Sequence, residues 1–114
     1  MLRLYRFAFW AAALFAFVMA VLPHPIEIPT SDKIQHMAAF FTITLLGCAG
    51  YRGQPRLKLM LAMFAFGAMI EVVQLVPMLH RDAEWSDWLA DIVAVLAALA
   101  IAHVAERQRT ARAD

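Results

Sequence analysis

The sequence has few of the residues from which soluble catalytic sites and disulfide scaffolds are built. A single cysteine, Cys48, excludes an intramolecular disulfide and any metal site made of several cysteines. Charged residues make up only 17% of the 114 residues, and the four glycines form no phosphate-binding loop. The formal net charge is only +1, so the positions of the charges carry more information than their balance.

What is abundant is apolar sequence. Hydrophobic residues make up 63% of the chain, and the mean hydropathy is +0.66. A soluble helical bundle of this size would need a much larger share of polar surface. We therefore predict an all-α integral membrane protein with one domain, residues 1–114, built as a bundle of four transmembrane helices.

Four apolar runs are long enough to cross a bilayer, since about 20 helical residues span its hydrocarbon core. Prolines and glycines separate the runs in "PHPIEIPTSDK" and "RGQPR". Ser31 or Asp32 can cap the second helix, and Pro77 should kink or end the third. The predicted spans are residues 4–22, 34–51, 57–79 and 87–106.

The first span has an alternative interpretation as a signal peptide. Its charged start and apolar run fit one, but the segment from Ala16 to Ala20 is a poor small-residue cleavage site. We therefore expect an uncleaved span, and a mature protein that begins near Met1.

The basic residues lie mainly on one side of the predicted spans. Lys33 and Arg81 alone fall on the other side. Cytoplasmic segments of membrane proteins are enriched in Lys and Arg. Both termini and the middle loop are therefore expected in the cytoplasm, with Trp85 and Trp88 in the outer aromatic belt. The residues on the cytoplasmic side are Arg3, Arg6, Arg52, Arg56, Lys58, Arg107, Arg109 and Arg112.

Polar residues recur at the outer ends of the last three spans. Each span carries a pair of them spaced three or four residues apart, and such pairs share a helix face. Polar side chains that face lipid are penalised, so these faces should turn toward one another. The pairs are Asp32 and His36, Glu71 and Gln74, and Asp87 and Asp91.

Glu71 is the most exceptional of these residues because a carboxylate in hydrocarbon must be paired, hydrogen-bonded or protonated. Lys33, His36 or Arg81 can supply that compensation, and Gln74 should line the same pocket. A purely structural role is the alternative for the whole cluster, and Asp32 can be only a helix cap.

Three motifs occur in order along the chain: "DKIQH" from Asp32, "IEVVQ" from Ile70, and Arg81 followed by "SDWLAD" from Ser86. Together they resemble the VanZ-like membrane proteins, whose pattern is D-K-x-x-H, then E-x-x-Q, then R…D-x-x-x-N. Asp91 stands where the family usually has asparagine, and Ala94 where a glycine often follows.

The resemblance implies a small bacterial envelope protein of the cytoplasmic membrane. It also implies a link to glycopeptide (teicoplanin) resistance through the founding member, although that role does not extend automatically to every small relative. We expect membrane lipids as partners, with a lipid-linked or anionic envelope component, or a glycopeptide, at the outer site. We expect no nucleic-acid partner, and the sequence does not define the oligomeric state.

Binding and catalysis both fit this polar cluster. The binding residues would be Asp32, Lys33, His36, Glu71, Gln74, Arg81, Asp87 and Asp91. For catalysis, a general acid and base would come from His36, Glu71, Asp87 and Asp91. Ser31, Thr30 and Ser86 supply hydroxyls, but none lies in a nucleophile motif. A metal held by the same four acid–base candidates is a minor alternative, and we predict no metal or other cofactor.

The predicted topology can be tested with cysteines introduced at Ile28, Gln54 and Glu84. In intact cells, an impermeant thiol reagent should label positions 28 and 84, because both loops are expected outside. Position 54 should stay unlabelled. Labelling of position 54 with protection of the other two would reverse the topology.

Overall fold

Residues 1–22, 32–77 and 85–113 are described by the computed structural model. Within them the chain forms four α-helices and no strand. The helices are α1 (Leu2–Val21), α2 (Asp32–Gly50), α3 (Arg56–Gln74) and α4 (Trp85–Ala113). The all-α prediction and the number of helices are confirmed.

Two helix ends differ from the boundaries predicted from hydropathy by more than two residues. Helix α3 ends at Gln74, three residues before Pro77, because a residue ahead of proline is disfavoured in helical conformation. Residues 78 and 79 of the predicted third span lie outside the described residues. Helix α4 continues to Ala113, two turns past residue 106, because its alanines and arginines favour helix although they are not apolar enough for the membrane.

Three of the described helices, α1, α3 and α4, are long and apolar enough to cross a membrane. Helix α2 carries Lys33, Gln35 and His36 in its first two turns, which lowers its mean hydropathy. It also packs against all three other helices. A helix enclosed by protein needs less apolar surface than one enclosed by lipid, so its composition suits a central position.

Side chains that bind backbone carbonyls at helix ends tie the bundle together. Arg6 of α1 donates a hydrogen bond of 2.7 Å to the carbonyl of Gly50, the last residue of α2. Gln74 of α3 donates one of 2.9 Å to Ala20, in the last turn of α1. The final carbonyls of a helix lack intrahelical partners, so these bonds cap two C-termini. They also place α1 antiparallel to α2 and parallel to α3.

The tightest packing lies where α2, α3 and α4 meet. Phe40 and Ile43 of α2, Ile70 of α3 and Val95 of α4 are at most 1% exposed. The ring of Phe40 stacks on that of Phe66, with centroids 5.6 Å apart. By contrast, the large side chains of α1 such as Phe7, Leu14 and Phe15 point outward, as expected of a helix that meets lipid.

The close approach of α1 and α2 depends on Gly50. A Cβ atom at this residue would lie 3.1 Å from the backbone nitrogen of Arg6 and 3.3 Å from the carbonyl carbon of Tyr5. Backbone atoms cannot rotate away, so the two helices would have to separate. Gly53, in the following loop, has no atom within 4 Å of the same position and is a matched control.

We expect Gly50→Ala to destabilise the bundle by about 1–3 kcal/mol, as overpacking does in protein cores. The measurement is the thermal midpoint of the purified protein in detergent. Gly53→Ala should leave that midpoint unchanged. Equal midpoints for the two variants would show that α1 does not pack this closely on α2.

Candidate functional site

Lys33 joins α2 to the first turn of α4. Its ammonium Nζ donates a hydrogen bond of 2.9 Å to the hydroxyl oxygen of Ser86 and lies 3.7 Å from a carboxylate oxygen of Asp87. The Lys33 side chain is 43% exposed, whereas that of Asp87 is 14% exposed. The ammonium therefore offsets the Asp87 charge and can still reach a molecule outside the protein.

Asp91 lies one turn deeper on α4 and is almost completely enclosed, with 2% of its surface exposed. Neither carboxylate oxygen has a hydrogen-bond partner among the described residues. One of them, Oδ2, lies 3.3 Å from the position that a Cβ atom on Gly67 would occupy. The charges of Glu71 and Asp87 also act on Asp91, so three carboxylates are electrostatic neighbours at this end of the bundle.

Glu71 faces a pocket between α3 and α4. The pocket has a volume of about 260 Å³ and is lined by Ala68, Glu71, Val72, Leu75, Trp85 and Trp88. Apart from the Glu71 carboxylate and the two indole nitrogens, these side chains are apolar. Val72 and Leu75 are more than half exposed, so the wall of the pocket opens toward the surroundings of the bundle.

Trp88 connects the pocket to the helix packing. Its indole nitrogen donates a hydrogen bond of 3.1 Å to the backbone carbonyl of Phe64 on α3. The Trp85 ring meets it edge to face, with centroids 6.0 Å apart, and is 81% exposed. One indole is thus fixed by α3, and the other lies at the surface beside it.

Gln74 is oriented away from this pocket. Its amide binds Ala20 of α1, and the residue is 3% exposed. A spacing of three residues leaves two side chains about 60° apart around a helix axis. Glu71 therefore turns to α4, while Gln74 turns to α1, and the two residues line different interfaces of α3.

The remaining predicted site residues are only partly placed. His36 is partly buried on α2, near its first turn. Asp32 is the first residue of that helix, and its side chain is not among those that the structure describes. Arg81 lies between the described segments. Its predicted contact with Glu71 stays a prediction, as does the predicted hydrogen bond between Glu71 and its neighbours.

Among the residues that the structure describes, no three His, Cys, Asp or Glu side chains are grouped to hold a metal ion. The alternative set of His36, Glu71, Asp87 and Asp91 is therefore not assembled as a metal centre. Its carboxylates are close enough to repel one another, which makes this end of the bundle attractive to positive charge.

Two contributors to the site were not predicted. Gly67 lets Asp91 and Trp88 approach α3, and its signal was a glycine inside a span, where no turn requires one. Thr44 is fully buried below the site and donates to the carbonyl of Phe40 in its own helix. A threonine in an apolar helix commonly makes this bond, so its sequence signal is weak.

Comparison of the chain with protein-family models, curated proteins and solved structures finds no match in any of the three. The fold and site therefore stand on the geometry described above. The resemblance to VanZ-like proteins stays a prediction based on the three motifs.

Asp91 should be the residue at which an asparagine is best tolerated. The substitution Asp91→Asn removes a buried charge beside two other carboxylates, and the new amide adds a hydrogen-bond donor. We expect a gain of about 1–3 kcal/mol in stability, seen as a higher thermal midpoint in detergent free of phospholipid.

The control is Asp87→Asn, which removes a charge that Lys33 already offsets. This variant should gain nothing and should lose about 1 kcal/mol at most, because the pair is partly exposed. A lower midpoint for Asp91→Asn than for the unchanged protein would contradict the description of Asp91 as an uncompensated buried acid.

Proposed function

We propose that the chain is a VanZ-like protein of the bacterial cytoplasmic membrane, and that its outer end binds a lipid-linked or anionic envelope component. In this proposal all four helices cross the bilayer and both termini are cytoplasmic. The supports are the three motifs, the distribution of basic residues, and the antiparallel packing of α2 against α1, a helix apolar enough to span.

The observation that carries the binding site is the position of Lys33. Its ammonium bridges α2 and α4 beside the pocket of Glu71, Trp85 and Trp88, yet much of the side chain remains exposed. Ser86 and Asp87 lie in the same helical turn as the two tryptophans. An exposed ammonium next to an apolar pocket suits an amphiphile with a phosphate or carboxylate.

A binding role is favoured over catalysis because the contact described for the Ser86 hydroxyl is to an ammonium, which cannot act as the base that activates a nucleophile. Ser86 is the one described hydroxyl at the site, and it accepts a hydrogen bond from Lys33. Purified protein incubated with envelope lipids tests this directly by mass spectrometry. A lipid that is retained unaltered supports binding, and a converted lipid would show an enzyme instead.

A structural role is the second candidate, favoured by two ion pairs that join neighbouring helices. Lys33 pairs with Asp87, and Arg56 of α3 pairs with Glu106 of α4 at the opposite end. In this alternative the pairs only hold the helices together. Any link to glycopeptide resistance would then be indirect.

Lys33→Gln separates the two candidates. If Lys33 binds a lipid anion, the variant should carry about tenfold less anionic phospholipid through purification, as expected when a charge-assisted hydrogen bond is lost. The measurement is native mass spectrometry of the protein with bound lipid. Lys58→Gln is the control. Lys58 is an exposed lysine near the start of α3, at the end of the bundle opposite Lys33, so this variant should retain its lipid.

The structural alternative predicts a different pattern. Lys33→Gln would then lower the thermal midpoint while the bound lipid stays the same in amount and kind. That pattern would refute lipid binding through Lys33.

A further inference from the structure

The pocket between α3 and α4 has the lining of a site for a cation. Its described lining contains one carboxylate, Glu71, and two indole rings, Trp85 and Trp88, and none of the described residues that line it is a lysine or an arginine. The faces of aromatic rings attract ammonium groups, most strongly those of tryptophan. An anionic group in the same place would meet the Glu71 carboxylate and be repelled.

The charges behind the pocket point the same way. Asp91 is 2% exposed and its oxygens have no hydrogen-bond partner among the described residues. It lies against Gly67, as does the Trp88 ring that lines the pocket. A buried carboxylate in this position is stabilised by positive charge nearby. In the described part of this end of the bundle, Lys33 is the one Lys or Arg, and it is paired with Asp87.

The opening of the pocket indicates an amphiphile as the occupant. Val72, Leu75 and Trp85 are exposed by 64%, 67% and 81%, so the apolar wall continues onto the outer surface of the helices. An acyl chain can lie along this surface while its headgroup enters the pocket. The rim of the pocket is thus suited to a lipid that arrives from the membrane.

We propose that this pocket binds the ammonium group of a zwitterionic phospholipid. Glu71 and the rings of Trp85 and Trp88 hold the ammonium, and Lys33, which contacts Ser86 and Asp87 between the two tryptophans along α4, meets the phosphate of the same headgroup. This inference rests on the proposed function, because it takes the occupant to be a membrane lipid. It adds that a positive group on the lipid is recognised as well as a negative one.

The test is competition between lipids for the purified full-length protein, followed by native mass spectrometry. Lipids with ethanolamine, choline and glycerol headgroups share the phosphate, but only the first two carry an ammonium. We expect about a tenfold preference for an ammonium lipid over phosphatidylglycerol. Preference for ethanolamine alone assigns a primary ammonium, and preference for choline alone assigns a quaternary one.

Two variants with matched controls locate the preference. Glu71→Gln and Trp85→Leu should each reduce it to about twofold or less, because each removes one attraction for the ammonium. Glu106→Gln and Trp10→Leu make the same chemical changes elsewhere in the bundle and should keep it. Trp85 is the better of the two indoles to replace, since its exposed ring contributes less to folding than Trp88 does.

Several outcomes would overturn the inference. Equal binding of all three lipids by the unchanged protein would do so without any variant. Displacement of the lipid by soluble choline at the same concentration as by choline lipid would exclude a lipid as the occupant. If the ammonium preference is absent while Lys33→Gln still loses phosphatidylglycerol, the inference fails and the proposed function stands. If Lys33→Gln also retains its lipid, both fail.

Discussion

The bundle depends on hydrogen bonds from side chains of one helix to backbone carbonyls at the end of another. Arg6 binds the last carbonyl of α2, and Gln74 binds one in the last turn of α1. Each bond joins one helix to the end of another, so a local requirement fixes the arrangement of three helices. An unsatisfied carbonyl costs several kcal/mol in hydrocarbon, so in a membrane such long-range bonds would contribute more to stability than in water.

Helix number and helix ends follow closely from the sequence because they depend on local properties. Apolar run length predicts α1 and α3, and Pro77 predicts that α3 ends nearby. Hydropathy does not predict the end of α4, because it measures compatibility with lipid. Helix formation at that end depends instead on the helix propensity of residues such as alanine and arginine. The two properties separate in the last two turns of α4, where the residues are polar and still helical.

Residue spacing predicts which polar side chains share a helix face, but it does not predict which helix that face meets. Spacing placed Asp87 and Asp91 on one face of α4, and the structure brings both into the same charged cluster. Spacing also placed Gln74 beside Glu71, but Gln74 binds α1 instead. Helical periodicity gives the angle between two side chains. It does not say which neighbour each meets, since α3 contacts helices on more than one side.

Each end of the bundle has an ion pair between two helices, but the burial of the acidic residues differs between the ends. Arg56 and Glu106 meet where both side chains are substantially exposed, so water can solvate what the pair leaves unsatisfied. Near Lys33, the acids Glu71 and Asp91 lie deeper, and the one described ammonium is already shared with Ser86 and Asp87. The Asp91 carboxylate at that end is therefore buried without a hydrogen bond from any described residue.

Trp88 takes part both in helix packing and in the pocket at this end of the bundle. The hydrogen bond to Phe64 holds its ring against α3, and the same ring lines the pocket and lies, like Asp91, beside Gly67. Helix packing and the proposed binding site therefore share a side chain. A bound cation would stabilise the folded bundle in proportion to its concentration and affinity, because binding to the native state alone shifts the unfolding equilibrium. Stability measured with and without lipid thus reports on the site as directly as binding does.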